Sequence, residues 1–406
     1  MNNLLLTLCL AVPLTASAGD WPQFLGANRD SRSSETGLVS SFPKKGPPVV
    51  WTLEVGEGHA APVVKGQRLI LFHRVGNKDR IECLHALTKK RLWKFDYETS
   101  YRDQLGKGDG PRSTPLITDK HVYALSADGR LHCLTLEKGT KVWLRNLSKD
   151  YQAPQGYFGC ATSPIQENGL IVVNIGGAKA GIVAVDEKTG KMKWTATDHQ
   201  RSYASPVAMT VDRTRHLIFF TRRGVVSLDP TNGKVRFDRR WRARMAASVN
   251  ATSPVVIGKH LFVSSSYQTG AFVAEVQSTK LKDLWSNDES LSAHFSPCAI
   301  GGDFIYGFDG RQEEGARLRC VEWKTGKVRW NKARLGCGSL ILADGKLIIL
   351  TEDGDLVLVK ETSQSYQELA RSSVLEGTCR AQLALSNGRL YARDDSTLIC
   401  LDLRKK

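Results

Sequence analysis

Short apolar runs of strand length recur along the chain from residue 49 onward, each broken by a cluster of Gly, Asn, Asp or Lys. Runs this short, rich in Val, Ile and Leu and bounded by turn residues, predict β-strands rather than helices. One stretch shows the unit whole. Ser163–Gln166 is a strand, Glu167-Asn168-Gly169 a turn, Leu170–Asn174 a second strand and Gly181–Val185 a third. Asp186–Lys191 turns again, and Met192–Thr195 is a fourth strand. The Gly of each Asn-Gly, Asp-Gly or Thr-Gly turn supplies the positive φ that such hairpins need. Two series of marks repeat this unit along the chain. Trp51, Trp93, Trp143, Trp194, Phe237, Trp285 and Trp330 follow one another at gaps of 42 to 51 residues. Ala61-Pro62, Thr114-Pro115, Ser163-Pro164, Ser205-Pro206, Ser253-Pro254 and Ser296-Pro297 form the second series.

Two weaker units, Ser339–Leu369 and Gln382–Leu403, lack the tryptophan, and the last stops after three strands. Val49–Leu53 at the other end is a fourth strand with nothing before it. Joined, the two ends make one complete unit, which hides the sheet edge that an open ring would expose. The fold class predicted is therefore all-β: an eight-bladed β-propeller of four-stranded antiparallel blades, closed by the N- and C-terminal strands in one blade. Residues 48–406 form the propeller, and residues 19–47 an N-terminal extension packing on it. The third position of each third strand reads Cys83, Cys133, Ala184, Ser227, Ala274, Cys320, Leu358 and Cys400. Small residues there mark a tight packing position, with Cys as a small hydrophobe. These four cysteines, in different blades, are expected to be free buried thiols. Cys160, Cys298, Cys337 and Cys379 lie near first strands, where a single disulfide stays open.

Residues 1–18 read as a signal peptide: Leu4–Leu14 is mostly apolar and Ala16-Ser17-Ala18 offers a small-x-small cleavage pattern. An exported protein, periplasmic or extracellular, follows. No later run is apolar and long enough for a transmembrane segment. The 41% hydrophobic and 24% charged composition is that of a globular chain. Lys and Arg number 57 against 41 Asp and Glu, a net charge of +16, which favours acidic partners. Export argues against nucleic acid, leaving an anionic glycan, phospholipid head groups or an acidic protein, with the propeller expected as a monomer.

The repeat Ser-Pro-Val-Val, Asp-Gly, Cys-Leu, Thr-Gly-Lys and Trp resembles that of the PQQ-binding-like β-propeller proteins. The leading Trp21-Pro22-Gln23-Phe24-Leu25-Gly26-Ala27-Asn28-Arg29 resembles the opening of exported single-propeller members abundant in planctomycete-type bacteria. The resemblance implies the fold, and leaves function open between quinoprotein alcohol dehydrogenases and a scaffold lipoprotein of outer-membrane barrel assembly. Quinone-binding members are similar in having adjacent cysteines joined above the cofactor, Ca²⁺ held by carboxylate and amide oxygens, and an Asp base. No two cysteines here are adjacent, and no acidic cluster falls on the first strands. Glu352-Asp353-Gly354-Asp355 reads as a hairpin turn. No cofactor or metal is therefore expected, with PQQ and Ca²⁺ as the alternative. Zinc-ligand spacings, a dinucleotide loop and a Gly-x-Ser-x-Gly elbow are also missing from the sequence.

Strand order places the turns from first to second and third to fourth strands on one face, and these are tight. The opposite face carries long segments: Tyr97–Ser113, Leu147–Thr162, Asp238–Thr252 and Gly307–Leu318. Binding residues concentrate on such loops. Two candidate sets arise there. The basic run Arg239, Arg240, Arg242 and Arg244, with Arg222-Arg223 nearby, is expected to meet a polyanion. The position three residues before each proline, or its equivalent, reads His59, Arg112, Ala161, Tyr203, Ala251, His294, Cys337 and Arg380. His59, Arg112, Tyr203, His294 and Arg380 are therefore binding candidates at the mouth of the central channel, with the two histidines expected to titrate near about 6.5. The function expected is a non-catalytic binding or scaffolding module for a protein or anionic polymer. The alternatives are an enzyme acting on acidic glycans and a PQQ-dependent dehydrogenase-like quinoprotein.

Overall fold

The computed structural model describes residues 19–246 and 248–405, so the signal-peptide reading lies outside the described residues. Eight four-stranded antiparallel sheets follow one another around a ring. The third blade, for example, consists of Ile165–Glu167, Leu170–Gly177, Ala180–Asp186 and Met192–Ala196, hydrogen-bonded in that order. Val49–Glu54 pairs antiparallel with Thr397–Asp402, with Trp51 opposite Cys400, and completes blade eight with Ala384–Ser386 and Arg389–Arg393. Closure by both chain ends is thus as the sequence predicts.

The core lies between blades rather than within them, because successive side chains of a strand face opposite neighbours. Cys83 and Trp93 of blade one meet Val122, Ala124 and Leu134 of blade two in one apolar layer. The small residue of the third strand sits directly opposite the tryptophan of the fourth: Cys83 opposite Trp93, Cys133 opposite Trp143, Ala184 opposite Trp194 and Cys320 opposite Trp330. Each indole then reaches the next blade. Trp51, Trp93, Trp143 and Trp194 donate from Nε1 to the carbonyls of Ala86, Leu136, Glu187 and Pro230 at 2.9 to 3.2 Å. The ring rests on the glycine of the neighbour's turn: a Cβ on Gly139, Gly190 or Gly233 would stand 2.4 to 2.8 Å from Trp93, Trp143 or Trp194.

Blade five corrects one register. The residue opposite Trp285 is Val273, and Ala274 faces Asp283 and the layer toward blade four. Trp285 is correspondingly only partly buried. In blade seven the pair is exchanged, with Leu358 opposite Ala370. All eight cysteines among the described residues are free and buried, which settles Cys160, Cys298, Cys337 and Cys379 as unbridged.

Residues 20–46 form a strap across the tight-turn face. Trp21 exchanges two 2.8 Å backbone bonds with Val64 of blade one, and Pro22 accepts one from Ile117 of blade two. Arg29 donates to the carbonyls of Pro164 at 3.0 Å and Pro206 at 2.7 Å, at the threshold of blades three and four. Ser31 and Ser33 pair with Leu342 of blade seven, and Val39 with Leu403 beyond blade eight. The strap contacts six of the eight blades.

Candidate functional site

The inner strands are linked blade to blade by the Ser/Thr-Pro motif. The amides of Ala61, Thr114, Ser163 and Ser205 donate in turn to the hydroxyls of Thr114, Ser163, Ser205 and Ser253 at 2.9 to 3.1 Å. This chain of bonds fixes the residues just before it around the channel. Seven of the eight positions aligned from the sequence, all but Cys337, line one cavity of about 460 Å³ on the long-loop face. His59, Arg112, Tyr203, His294 and Arg380 are among them, with Ala161 and Ala251 between. Residues outside the aligned register complete the wall: Tyr157, Phe158, Tyr267 and Phe295 from loops, and Phe24 from the strap. The result is an aromatic cup with a floor.

The polar groups of the cup differ in how far they are committed. Arg112 is structural: its guanidinium donates to Asp103 at 2.8 Å and to the carbonyl of Gly108 at 2.9 Å, holding the loop between blades one and two. Its charge is paired with Asp103, and its guanidinium lies 5.6 Å from the Phe158 ring centre. The Tyr203 oxygen accepts from the amides of Tyr157 and Phe158 at 3.1 and 3.2 Å, leaving its own proton to donate. His294 Nδ1 lies 2.9 Å from Gln312 Oε1 and Nε2 lies 3.0 Å from the Tyr267 hydroxyl. Gln312 Nε2 donates to Glu313, so its oxygen faces the imidazole, and the arrangement fits a neutral ring protonated on Nδ1. Tyr267 itself holds φ 62°, a left-handed conformation that a bulky residue adopts at a cost. Arg380 gives only Nε to Glu352, at 3.2 Å; no described residue engages its amino groups.

Titration of the two histidines near their ordinary value is overturned. Burial, reinforced by Arg112, Arg380 and Arg393, pushes His59 down to about 3. Burial also lowers His294, against the opposing bond to Gln312. In both, burial favours the neutral ring.

The basic run divides. Arg239 and Arg240 lie in the fourth strand of blade four, Val235–Arg240, and not in a loop. Arg239 is spent on blade five, forming an ion pair with Asp283 and lying 3.8 Å over the Phe272 ring. Arg240, Arg242 and Arg244 line a groove of about 820 Å³ whose far wall carries Asp288, Asp309 and Glu314. That groove is mixed in sign rather than uniformly basic.

Residues 77–332 match the family profile described as outer membrane protein assembly factor BamB. The chain belongs to this family of PQQ-type propellers. Two curated relatives align over part of it. The 1-butanol dehydrogenase (cytochrome c) of Thauera butanivorans is 25% identical over 153 residues, covering 34% of this chain and 20% of the relative. The dehydrogenase subunit of a quinone alcohol dehydrogenase of Acetobacter aceti is 27% identical over 159 residues, covering 36% and 20%. The matched region thus spans about a fifth of the length of either dehydrogenase. Among solved structures, BamB from Moraxella catarrhalis superposes with a TM-score of 0.66 at 16% identity, covering 88% of this chain and 98% of that one. Quinohemoprotein alcohol dehydrogenase from Comamonas testosteroni gives 0.65 at 13% identity, covering 96% and 82%. These likenesses are of fold.

Proposed function

We propose that the protein is an exported, non-catalytic binding module that receives an apolar segment of a partner protein in the aromatic cup. The observation that carries this reading is the cup itself: open on the long-loop face, reached from the strap by Phe24, and lined by aromatic rings together with the cations Lys107 and Arg380. Concave, mainly apolar sites with a few directed polar groups are the usual form of a binding pocket. Membership in a family whose profile bears the name of an assembly factor supports a scaffolding role.

The donor set does not fit a calcium–quinone pair. Among the described residues no cluster of three His, Cys, Asp or Glu could hold a metal ion. Glu313 is the carboxylate that lines the cup, Glu352 is tied to Arg380, and all the described cysteines are free.

Filling the cup tests the reading. Immobilised wild-type protein should enrich a discrete partner from envelope extracts, and Ala251→Trp, at unchanged melting temperature, should lose it. Equal capture by both proteins would place binding elsewhere. Reduction of a dye by the protein supplied with PQQ, Ca²⁺ and a primary alcohol would overturn the non-catalytic reading.

A further inference from the structure

Beside the cup, Arg222, Arg240 and Arg242, from two segments of blade four, converge with no ion pair of their own among the described residues. Arg222 Nη2 and Arg242 Nη2 donate to the same carbonyl oxygen, that of Ala246, at 2.6 and 3.2 Å. Two guanidinium heads therefore lie side by side. They share a recess of about 270 Å³ with Arg240, Arg223, Asp198, His199 and Gln200. Asp238 balances one wall, standing 3.2 Å from His199 and 3.5 Å from Arg223. Asp198 is exposed at the rim and makes no ion pair among the described residues. Arg222, Arg240 and Arg242 have no acidic partner among the described residues, and Nε of Arg242 is buried without a hydrogen bond. Burial, then the charges of Arg222 and Arg240, lowers the Arg242 pKa, as expected for like charges held together.

We propose that this recess binds a tetrahedral oxyanion, a phosphate or sulfate group, between Arg222, Arg240 and Arg242. Planar guanidinium forks match such oxygens two at a time, and an anion would relieve the repulsion between the heads. Arg222 also lies 5.4 Å over the Tyr157 ring, which lines the cup, so the two sites are neighbours. The anion site stands independently of the partner proposed for the cup.

Titration calorimetry with inorganic phosphate at fixed ionic strength tests the site in the full-length protein. Saturable binding is expected, weakened about tenfold or more in Arg222→Gln/Arg242→Gln, because each lost charge-assisted bond is worth roughly a decade. Lys138→Gln/Lys191→Gln removes the same charge from exposed turns on the opposite face and should leave binding unchanged. Arg240→Gln touches an exposed side chain without a described partner, so it reads binding even if the double variant is unstable, and should weaken phosphate severalfold. Phosphatidylcholine vesicles with and without phosphatidic acid separate the sources of the group. Binding only with phosphatidic acid, competed by phosphate, assigns a lipid head group; phosphate binding without vesicle binding assigns a soluble ion or ester. No saturable phosphate binding, or equal weakening in the lysine control, would overturn the proposal.

Discussion

At the scale of single residues, the repeat is a lock between a tryptophan and its neighbour's turn. Trp194 is buried, opposite Ala184 in its own blade, and its ring covers Gly233 of the next. Trp194→Ala should cost roughly 3–5 kcal/mol by leaving a cavity. Gly233→Ala should cost about 1–2 kcal/mol from its φ of 75° alone, and more from the Cβ placed 2.5 Å from the indole. Once the indole is gone that clash goes with it. The double variant should therefore lose less than the sum of the singles, and strict additivity in denaturant titrations would contradict the contact. His132 tests burial in another way. Its two ring nitrogens have no partner, it stacks on Tyr97 at 4.2 Å, and burial pushes its pKa down to about 3. The unfolded chain then binds the extra proton below about 6.5, so this contribution is complete above that pH and is lost as pH falls toward 3. His132→Phe keeps the stacked ring and should flatten the decline in stability between pH 6 and about 4; an unchanged slope would contradict it.

At the scale of elements, what could be read in advance depended on repetition. Strand order, blade count and closure were legible because turn glycines, prolines and tryptophans recur at a fixed spacing that only one architecture satisfies. The ring around the cup was legible for the same reason, as the Ser/Thr-Pro register places its preceding residues together. Phe24, Tyr157, Phe158 and Tyr267 were not, because strap and loops follow no period and their destinations depend on tertiary contacts. The aromatic pair Tyr157-Phe158, in a loop between turn residues, was the available signal. Arg239 misled for a related reason: a run of like charge reads as solvated loop, while its partner Asp283 lies in another blade. The strap carries its own test. Arg29 is buried, charged at neutral pH although burial lowers its pKa to about 9, and bonded to the carbonyls of Pro164 and Pro206. Arg29→Met should destabilise by about 3 kcal/mol, since those acceptors lose a charged donor, and should open residues 33–46 to limited proteolysis. An unchanged cleavage pattern would show that the strap is held without it.

At the scale of the whole molecule, the two faces of the ring have been given different work. The tight-turn face is covered by the strap from blade seven round to blade four, whereas the opposite face holds the cup, the mixed groove and the arginine recess. The propeller scaffold alone does not choose between the functions found on it; the asymmetry of its faces does. A photoreactive residue placed in the producing cell at Phe158, on the wall of the cup, or at Lys191, on an exposed turn of the strap face, measures that asymmetry directly. A discrete adduct from position 158 and none from 191 is the expected result; adducts from 191 with none from 158 would contradict it.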